Sequence, residues 1–252
     1  MSEILQRDHR SIRGVIKYTS KKPERLDQER GREYFMINVH GDGKRTIIAH
    51  SEIDDRPSVM RDATYSVDAD WYPLDCFVRL TVNDRFMGTG WFRFGPDFAE
   101  CETFTALEGR VRQRMQTNGR LRTFQNHAIA CDAWHMRLFD RSKGPGVQGI
   151  DEVLLCSPDH RGATGPMLFR IGMGIEYVGE EAIEIAAGKF DALHFRMVAA
   201  PGLPQEHPPY DVWCTNDDDY VLLKAGAGGY MQTHYELVEL HHDDTGAPGD
   251  LA

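Results

Sequence analysis

A chain of 252 residues is long enough for one large all-β domain or for two small domains. It carries 39 acidic and 29 basic residues, a formal net charge of -10, and this acidic excess disfavours nucleic acid and anionic membranes, because both attract clustered positive charge. Hydrophobic residues make up 41% of the chain, which is ordinary for a globular core.

The first half of the chain reads as one hairpin after another, with no helical period between the hairpins. Gly41-Asp42-Gly43 and Asn83-Asp84 supply turn residues. A charged loop or a short helix is expected at 19–31, and a loop is expected at 54–61 around Pro57. The predicted strands are 12–18, 34–40, 44–51, 64–71, 77–82, 86–94, 98–105, 110–116 and 121–126.

Alternation within these runs predicts which side chains share a face. In the second strand Phe35, Ile37 and Val39 are expected on one side. The run at 64–71 alternates most cleanly and indicates a strand that continues as far as Trp71. Gly88 and Gly90, inside another strand, suggest a bulge or a bend of a barrel.

The regular pattern breaks at 127–153, which predicts a crossover between two sides of a barrel or between two sub-barrels. Strands resume at 153–156 and 167–173, and three more runs follow: 175–198, 210–226 and 229–240. Gly179 and Gly188 are expected at turns, and the acidic segment 216–219 marks a rim because a turn cannot bury its charges. We therefore expect one domain at 1–240, with halves at 1–126 and 150–240, and a disordered tail at 241–252.

The order G-E-E, A-G-K-F and H-F, then Y-D-V-W-C-T-N-D-D-D-Y-V-L-L-K-A, then Y-E-L-V resembles the C-terminal part of an uncharacterised bacterial β-barrel family of unknown function. The resemblance covers about the last third of the chain. It implies an open, lipocalin-like antiparallel barrel and no particular activity. The expected fold class is therefore all-β, as one large open barrel or as two sub-barrels.

No export signal is recognisable in residues 1–16, which carry charges throughout, and no stretch approaches the roughly 20 apolar residues of a membrane helix. We expect a cytoplasmic protein. The five cysteines are odd in number, widely spaced and without a C-x-x-C, so they are interpreted as small buried residues.

No phosphate loop, dinucleotide fingerprint, G-x-S-x-G elbow or H-E-x-x-H occurs, so no cofactor is expected. His127, Asp132 and His135 form a weak candidate for a metal site, because the spacing of the two histidines suits neither an i,i+4 pair on a helix nor an i,i+2 pair on a strand. General acid-base chemistry is the better reading, since an inward His, Asp or Tyr in a barrel has its pKa shifted by burial. The candidate catalytic residues are His127, Asp132, His194 and Tyr235.

A flat apolar ligand would need aromatic walls, and a guanidinium would stabilise negative charge that develops on it. The candidate substrate-binding residues are Tyr65, Trp71, Trp91, Arg93 and Trp213, although aromatic side chains on strands are more often simply core. The leading hypothesis is a cofactor-independent lyase, isomerase or hydrolase acting on a small aromatic or terpenoid-like molecule. The alternatives are a non-catalytic carrier of an apolar metabolite and a structural protein whose sheet edge pairs with a partner, and a homodimer stays open.

Overall fold

The computed structural model describes residues 9–199, 201–203 and 206–243. They form a single sheet of fifteen strands with one short helix and three 3₁₀ turns. The strands are β1 (His9–Ser20), β2 (Glu29–His40), β3 (Arg45–Ile53), β4 (Val59–Val67), β5 (Pro73–Val82), β6 (Arg85–Phe94), β7 (Phe98–Thr105), β8 (Gly109–Gln116), β9 (Phe124–Gln125), β10 (Gly146–Leu155), β11 (Phe169–Ile185), β12 (Gly188–Ala199), β13 (Tyr210–Thr215), β14 (Leu222–Ala227) and β15 (Thr233–Asp243). The helix α1 is Asp132–Met136, and the 3₁₀ turns are Pro23–Arg25, Ile129–Cys131 and Arg141–Lys143.

The sheet runs in the order β8-β7-β6-β5-β4-β3-β2-β1-β15-β14-β13-β12-β11-β10-β9. Neighbouring strands are antiparallel except β9 and β10, which pair in parallel. Because β1 pairs with both β2 and β15, the first and last strands meet in the middle of the sheet and join its two halves. The all-β prediction is confirmed, and its open-sheet form holds: the strands make one continuous open sheet.

The buried face of the first strands follows the alternation of the sequence. Ile12 and Ile16 on β1 and Phe35 and Ile37 on β2 are buried, while Arg13, Val15 and Met36, which alternate with them, lie nearer the surface. Val39 is partly buried against the same core, so the predicted face at Phe35, Ile37 and Val39 is confirmed. A one-residue register slip would turn every one of these side chains to the other side.

The hairpin of β5 and β6 turns at Asn83-Asp84, where both residues have positive φ, 49° and 60°. The register of this hairpin shifts between Leu80 and Thr81, near Gly88. Gly88 also serves a close approach, since an added Cβ would lie 2.6 Å from the Gly165 carbonyl oxygen. The predicted bulge is thus present near Gly88. The lack of a side chain at Gly88 also leaves room for the loop that contains Gly165.

Three predicted elements in the first half have different bounds in the structure. The loop after β3 ends before β4 begins at Val59, earlier than expected. The alternating run stops being a strand at Val67, and Trp71 lies in the following turn with φ 69°. Of 121–126, only Phe124–Gln125 pairs with another strand. Alternation of polar and apolar residues indicates only which side chains are exposed. It does not distinguish a strand from a turn whose residues also alternate in polarity.

The irregular segment of the structure runs from His127 to Gly144, where α1 and two of the 3₁₀ turns lie. Strand β10 then begins earlier than predicted, and β11 continues through Gly179, which sits at a register shift within the strand and not at a turn. Gly188 does follow the turn between β11 and β12, as expected.

Two expectations about acidic and terminal residues change. Asp219, in the acidic turn, is buried and accepts from Arg10 at 2.5 Å, so a turn can bury one carboxylate when a guanidinium comes with it. Strand β15 also continues to Asp243, and the rest of the predicted tail lies outside the described residues. The sequence pattern missed this extension because His241 and His242 read as polar tail.

All five cysteines are buried and unpaired, as the sequence predicted. Among the residues that the structure describes, no helix is long and apolar enough to cross a membrane.

Candidate functional site

A pocket of about 770 Å³, its open mouth included, lies between the irregular segment and the second half of the sheet. Strands β10 to β13 and β15 contribute one wall, and α1 with the residues before it contributes the other. Four histidines and four methionines dominate the lining: His127, His135, His160, His207, Met136, Met173, Met197 and Met231. The remaining lining residues are Gln125, Ile129, Asp132, Leu155, Pro158, Asp159, Ile171, Leu203, Tyr210 and Tyr235.

Asp132 is the carboxyl group with the strongest perturbation in this pocket. It is the first residue of α1 and only 6% exposed. Gln125 Nε2 donates to its Oδ1 at 2.6 Å, and the Tyr210 hydroxyl donates to its Oδ2 at 2.7 Å. Burial raises the pKa of Asp132 to about 7, and the charge of nearby Glu33 adds to the rise while the two hydrogen bonds oppose it. The group therefore carries and releases a proton near neutral pH.

Two tyrosines complete this side of the pocket. Tyr210 begins β13, and Tyr235 lies on β15 with its ring perpendicular to that of Tyr18 at 4.8 Å. The Tyr210 and Tyr235 rings are 6.3 Å apart, also edge to face. Burial raises the pKa of both hydroxyl groups, so both stay protonated and can donate hydrogen bonds at neutral pH.

His127 is held in an unusual backbone conformation, with φ 64°. Its Nε2 is 2.9 Å from the Ser157 carbonyl oxygen and so carries the proton, which leaves Nδ1 as the lone-pair nitrogen. Its own carbonyl accepts from Arg61 at 2.8 Å. Burial and the positive charge of Arg61 lower the pKa of His127 to about 3. His127 is therefore a neutral imidazole under ordinary conditions.

Arg61 is a buried guanidinium that positions the loop behind His127. Besides the His127 carbonyl it donates to the carbonyls of Arg161 and Gly162, and it is 2% exposed. Gly162 must be glycine here, because its φ is 59° and an added Cβ would lie 2.9 Å from the His127 ring. This contact set fixes where the imidazole points.

His135, on α1, is held through one of its two ring nitrogens. Its Nδ1 is 2.6 Å from the Thr123 hydroxyl oxygen, and the side chain is 2% exposed. Its buried Nε2 finds no hydrogen-bond partner among the described residues. Burial lowers the pKa of His135 to about 4, so this imidazole is also neutral.

His160 and His207 lie nearer the mouth. Burial lowers the pKa of both, and the His207 Nδ1 donates to the Pro208 carbonyl at 2.7 Å. The His160 ring meets Tyr230 edge to face at 5.6 Å. The pocket thus presents four imidazoles whose pKa values are all lowered.

Glu33 anchors the wall that carries Asp132. This fully buried carboxylate on β2 accepts from the backbone amides of Ile129 and Ala130, at 2.9 and 2.8 Å. It also accepts from the Tyr18 hydroxyl at 2.9 Å and from Ser51 at 2.6 Å. Four hydrogen bonds to one carboxylate tie the 3₁₀ turn before α1 to the first half of the sheet.

The structure brings three of the four predicted catalytic residues, His127, Asp132 and Tyr235, into this one pocket. His194 lies elsewhere. It stacks on Trp213 with the ring centroids 4.0 Å apart, and its Nε2 is 2.8 Å from Asp211. The face of β12 that the sequence left open is thereby resolved: His194 shares the side of Asp211 and Trp213, which are partly exposed.

None of the five predicted substrate-binding residues lines the pocket. Tyr65 is core, 5.9 Å from the Trp134 ring, and Trp71 meets the same ring at 5.2 Å. Trp91 is 43% exposed, and Arg93 forms an exposed ion pair with Glu100.

Trp213 donates to Glu181 on the outer side at 2.5 Å. Trp91 and Arg93 were expected to line a pocket wall because aromatic residues flank them in the sequence. Strand alternation instead points both side chains away from the core, on the face opposite the buried Phe92.

Sequence reasoning missed most of the pocket lining, and two signals could have found part of it. Asp132 and His135 are three residues apart, which is one face of a helix once the segment is read as helical. Tyr210 has the parity of the buried Val212 and Cys214, so it had to point inward. His207 and the methionines carry no such local signal, since they reach the pocket from separate elements.

Within the described part of the chain no three His, Cys, Asp or Glu side chains are grouped so that they could hold a metal ion. His127 and His135 line the same pocket as Asp132, but His127 and Asp132 are already engaged by protein partners.

The sequence matches no protein-family model and no curated protein. Among solved structures, it is similar to a β-barrel-like protein of a domain of unknown function, DUF1849, from Brucella abortus, at 12% identity and a TM-score of 0.59, with 95% of this chain and 100% of that chain covered. A protein described as a candidate lipoprotein from Parabacteroides distasonis follows, at 10% identity and a TM-score of 0.34, with 92% and 94% covered. At 12% identity the likeness to the Brucella protein concerns the fold alone, and it shows that this chain has a β-barrel-like architecture of the kind found in uncharacterised bacterial proteins.

Proposed function

We propose that the protein is a cofactor-independent enzyme that binds a small, mostly apolar molecule in the pocket and transfers a proton through Asp132. One observation carries the proposal: a buried carboxyl group with a pKa near 7 sits in a mostly apolar pocket, hydrogen-bonded to Tyr210 and Gln125. A general acid or base works best when its pKa is close to the working pH.

The neighbouring groups suit a proton-transfer site. The Tyr210 hydroxyl can donate to the ionised form of Asp132 and can accept from the protonated form, so the hydrogen bond survives the transfer. His127 offers a neutral lone-pair nitrogen, and Tyr235 offers a hydroxyl that stays protonated. In this scheme Asp132 moves the proton, and His127 and Tyr235 orient the ligand or stabilise charge that develops on it.

A carrier that binds an apolar metabolite without changing it is the second candidate. Both oxygens of Asp132 already accept from protein donors, which favours a structural carboxyl group. Four methionine side chains also give a soft lining that adapts to many apolar shapes. The lipocalin-like comparison belongs to this candidate, because it proposes a ligand held inside a barrel.

The test begins with native mass spectrometry of the purified protein to find a co-purified small molecule. The extracted compound is then incubated with fresh wild-type protein and with Asp132→Asn. We expect wild type to alter the compound and Asp132→Asn to bind it with turnover at least about 100-fold lower, the usual contribution of general acid-base catalysis. If wild type returns the compound unchanged, the carrier reading replaces the enzyme.

His194→Asn is the matched control, since His194 is a histidine with a carboxylate partner outside the pocket. It should keep full turnover. A loss of turnover in this variant equal to that in Asp132→Asn would contradict the assignment of the reaction to the pocket. The cytoplasmic location and a homodimer stay predictions, which fractionation and light scattering would test.

A further inference from the structure

We infer that the pocket selects an uncharged ligand with a hydroxyl group on an apolar, ring-sized body, of the alkylphenol kind, and that His135 Nε2 binds that hydroxyl. This inference rests on the proposed binding pocket and names its ligand class and the residue that recognises it.

The charged groups around the pocket disfavour an anionic ligand. Among the described residues that line the pocket there is no lysine or arginine, while Asp132 and Asp159 both belong to the lining. Three guanidinium groups lie near lining residues without lining the pocket, and protein groups engage each of them. Arg61 donates to backbone carbonyls behind His127, Arg161 donates to the Asp55 carbonyl, and Arg30 pairs with the Asp55 carboxylate. An anionic ligand would therefore lose its hydration without gaining a cation, which is strongly unfavourable.

His135 Nε2 is a buried polar atom that a ligand can satisfy. His135 is 2% exposed and lines the pocket, and its Nε2 lacks a partner among the described residues. A buried polar atom without a hydrogen bond costs free energy that a ligand group can recover. The pocket is thus incomplete at this atom, and its occupant is expected to supply one polar group there.

The ligand group that suits His135 Nε2 is a hydroxyl. The Thr123 hydroxyl and His135 Nδ1 share one hydrogen bond of 2.6 Å, and either can be the donor. If Nδ1 donates, Nε2 is an acceptor, and if Thr123 donates, Nε2 carries the proton and is a donor. A hydroxyl meets both cases because it donates and accepts, whereas a ketone or an ether meets only one.

The apolar side chains around His135 suit a ligand with an apolar ring. Met136, Met173 and Met197 line the same space as His135, together with Leu155 and Ile171. Thioether sulfur makes favourable contacts with the edges of aromatic rings. These side chains line an apolar space for a ring, and His135 Nε2 is the buried polar atom of the described lining that lacks a protein partner.

The experiment uses four probes that share a ring and an ethyl group: 4-ethylphenol, ethylbenzene, 4-ethylbenzoate and 4-ethylbenzylamine. Ligand-observed NMR measures their binding to wild type and to His135→Leu. We expect wild type to bind 4-ethylphenol about tenfold more tightly than ethylbenzene, the size of one recovered hydrogen bond. Binding of 4-ethylbenzoate should be undetectable, and 4-ethylbenzylamine should bind less tightly than the phenol.

In His135→Leu the preference for 4-ethylphenol over ethylbenzene should disappear, while ethylbenzene still binds and so shows that the pocket is intact. If this variant does not fold, the ¹⁵N resonance of His135 Nε2 in wild type gives the answer. It should shift on addition of 4-ethylphenol and stay in place on addition of ethylbenzene.

Three outcomes would overturn the inference: equal affinity for the benzoate, tighter binding of the amine, or an unchanged phenol preference in His135→Leu. None of these readouts needs turnover, so failure of catalysis with retained phenol selectivity removes the enzyme proposal alone. Absence of binding for every apolar probe would remove both.

Discussion

The two halves of the sheet use charged residues in opposite ways. On β7 and β8 the charges face outward, where Arg112 and Arg114 are more than half exposed and pair with Glu102 and Glu100. In the second half the irregular segment carries Asp132 and His135 inward, where they are nearly inaccessible. The first arrangement contributes little to stability, while burial in the second raises the pKa of Asp132 to about 7 and lowers the pKa of His135 to about 4.

The difference follows from how the strands are connected. Turns as short as Asn83-Asp84 let β5 and β6 pair along their whole length, so alternate side chains fill the space between neighbours. Between β9 and β10 the connection runs through α1 and two 3₁₀ turns, and α1 packs against β13 while the turn before it packs against β2 and β14. The pocket lies between this segment and the strands of the second half. A regular meander yields a core, and its interruption yields a candidate site.

The largest effect is expected from the core of the first half. Phe92 on β6 is fully buried and lies 5.0 Å from the Phe124 ring, so Phe92→Ala should reduce the free energy of unfolding by about 3–5 kcal/mol. Its neighbour Trp91 points outward, and Trp91→Ala should cost less than about 1 kcal/mol. Urea unfolding of both variants measures this, and equal losses would contradict the assigned faces.

In the second half, the pH dependence of stability should report on Asp132. Burial raises its folded-state pKa from 3.8 to about 7, so the folded chain holds a proton that the unfolded chain has already lost. This stabilisation is complete below about pH 4 and is lost as the pH rises through about 7. Relative to Asp132→Asn, wild type should therefore lose up to about 4 kcal/mol across that window.

Urea unfolding of wild type and Asp132→Asn at half-unit pH steps gives this difference directly. His127 and His135 titrate with the opposite sign, since burial lowers their pKa values, but both remain in the variant and cancel. Parallel stability curves for the two proteins would show that Asp132 is not perturbed.

The link between the halves should break with Glu33→Ala. Removing this carboxylate leaves the buried donors of Tyr18, Ser51, Ile129 and Ala130 without an acceptor, and we expect a loss of about 3 kcal/mol. Hydrogen exchange should show the first amides of the irregular segment opening while the β5–β6 hairpin stays protected. Glu52→Ala, which removes a partly exposed partner of Arg32 on the next strand, is the control and should cost about 1 kcal/mol or less.

The smallest effect is expected at the turn of the regular half. Asn83 has φ 49°, a conformation that alanine adopts at a cost of about 1–2 kcal/mol and glycine adopts freely. Asn83→Ala should therefore be less stable than Asn83→Gly by about 1 kcal/mol in thermal unfolding. Since both variants lose the hydrogen bond from the Ser58 amide to Asn83, the difference isolates the backbone. Equal melting temperatures would mean that the turn relaxes.

The sequence by itself determined the all-β class, the position of β7 to the residue, the hairpin turn at Asn83-Asp84, and the burial of the cysteines. These features depend on neighbours along the chain, through alternation and turn chemistry, so a linear pattern contains them. The sequence also pointed to His127 and Asp132 as candidate site residues, because both lie in the segment where the strand pattern breaks.

Only the tertiary structure decided which side chains meet. Tyr210 reaches Asp132 across 78 positions, and Glu33 reaches Ala130 across 97, so neither contact leaves a local trace. Trp91 is 43% exposed, and His194 packs on Trp213 outside the pocket, since the direction of a strand's faces is set by what packs on each side. The lowered pKa values of His127 and His135 have the same origin, because burial belongs to the folded chain and not to the order of its residues.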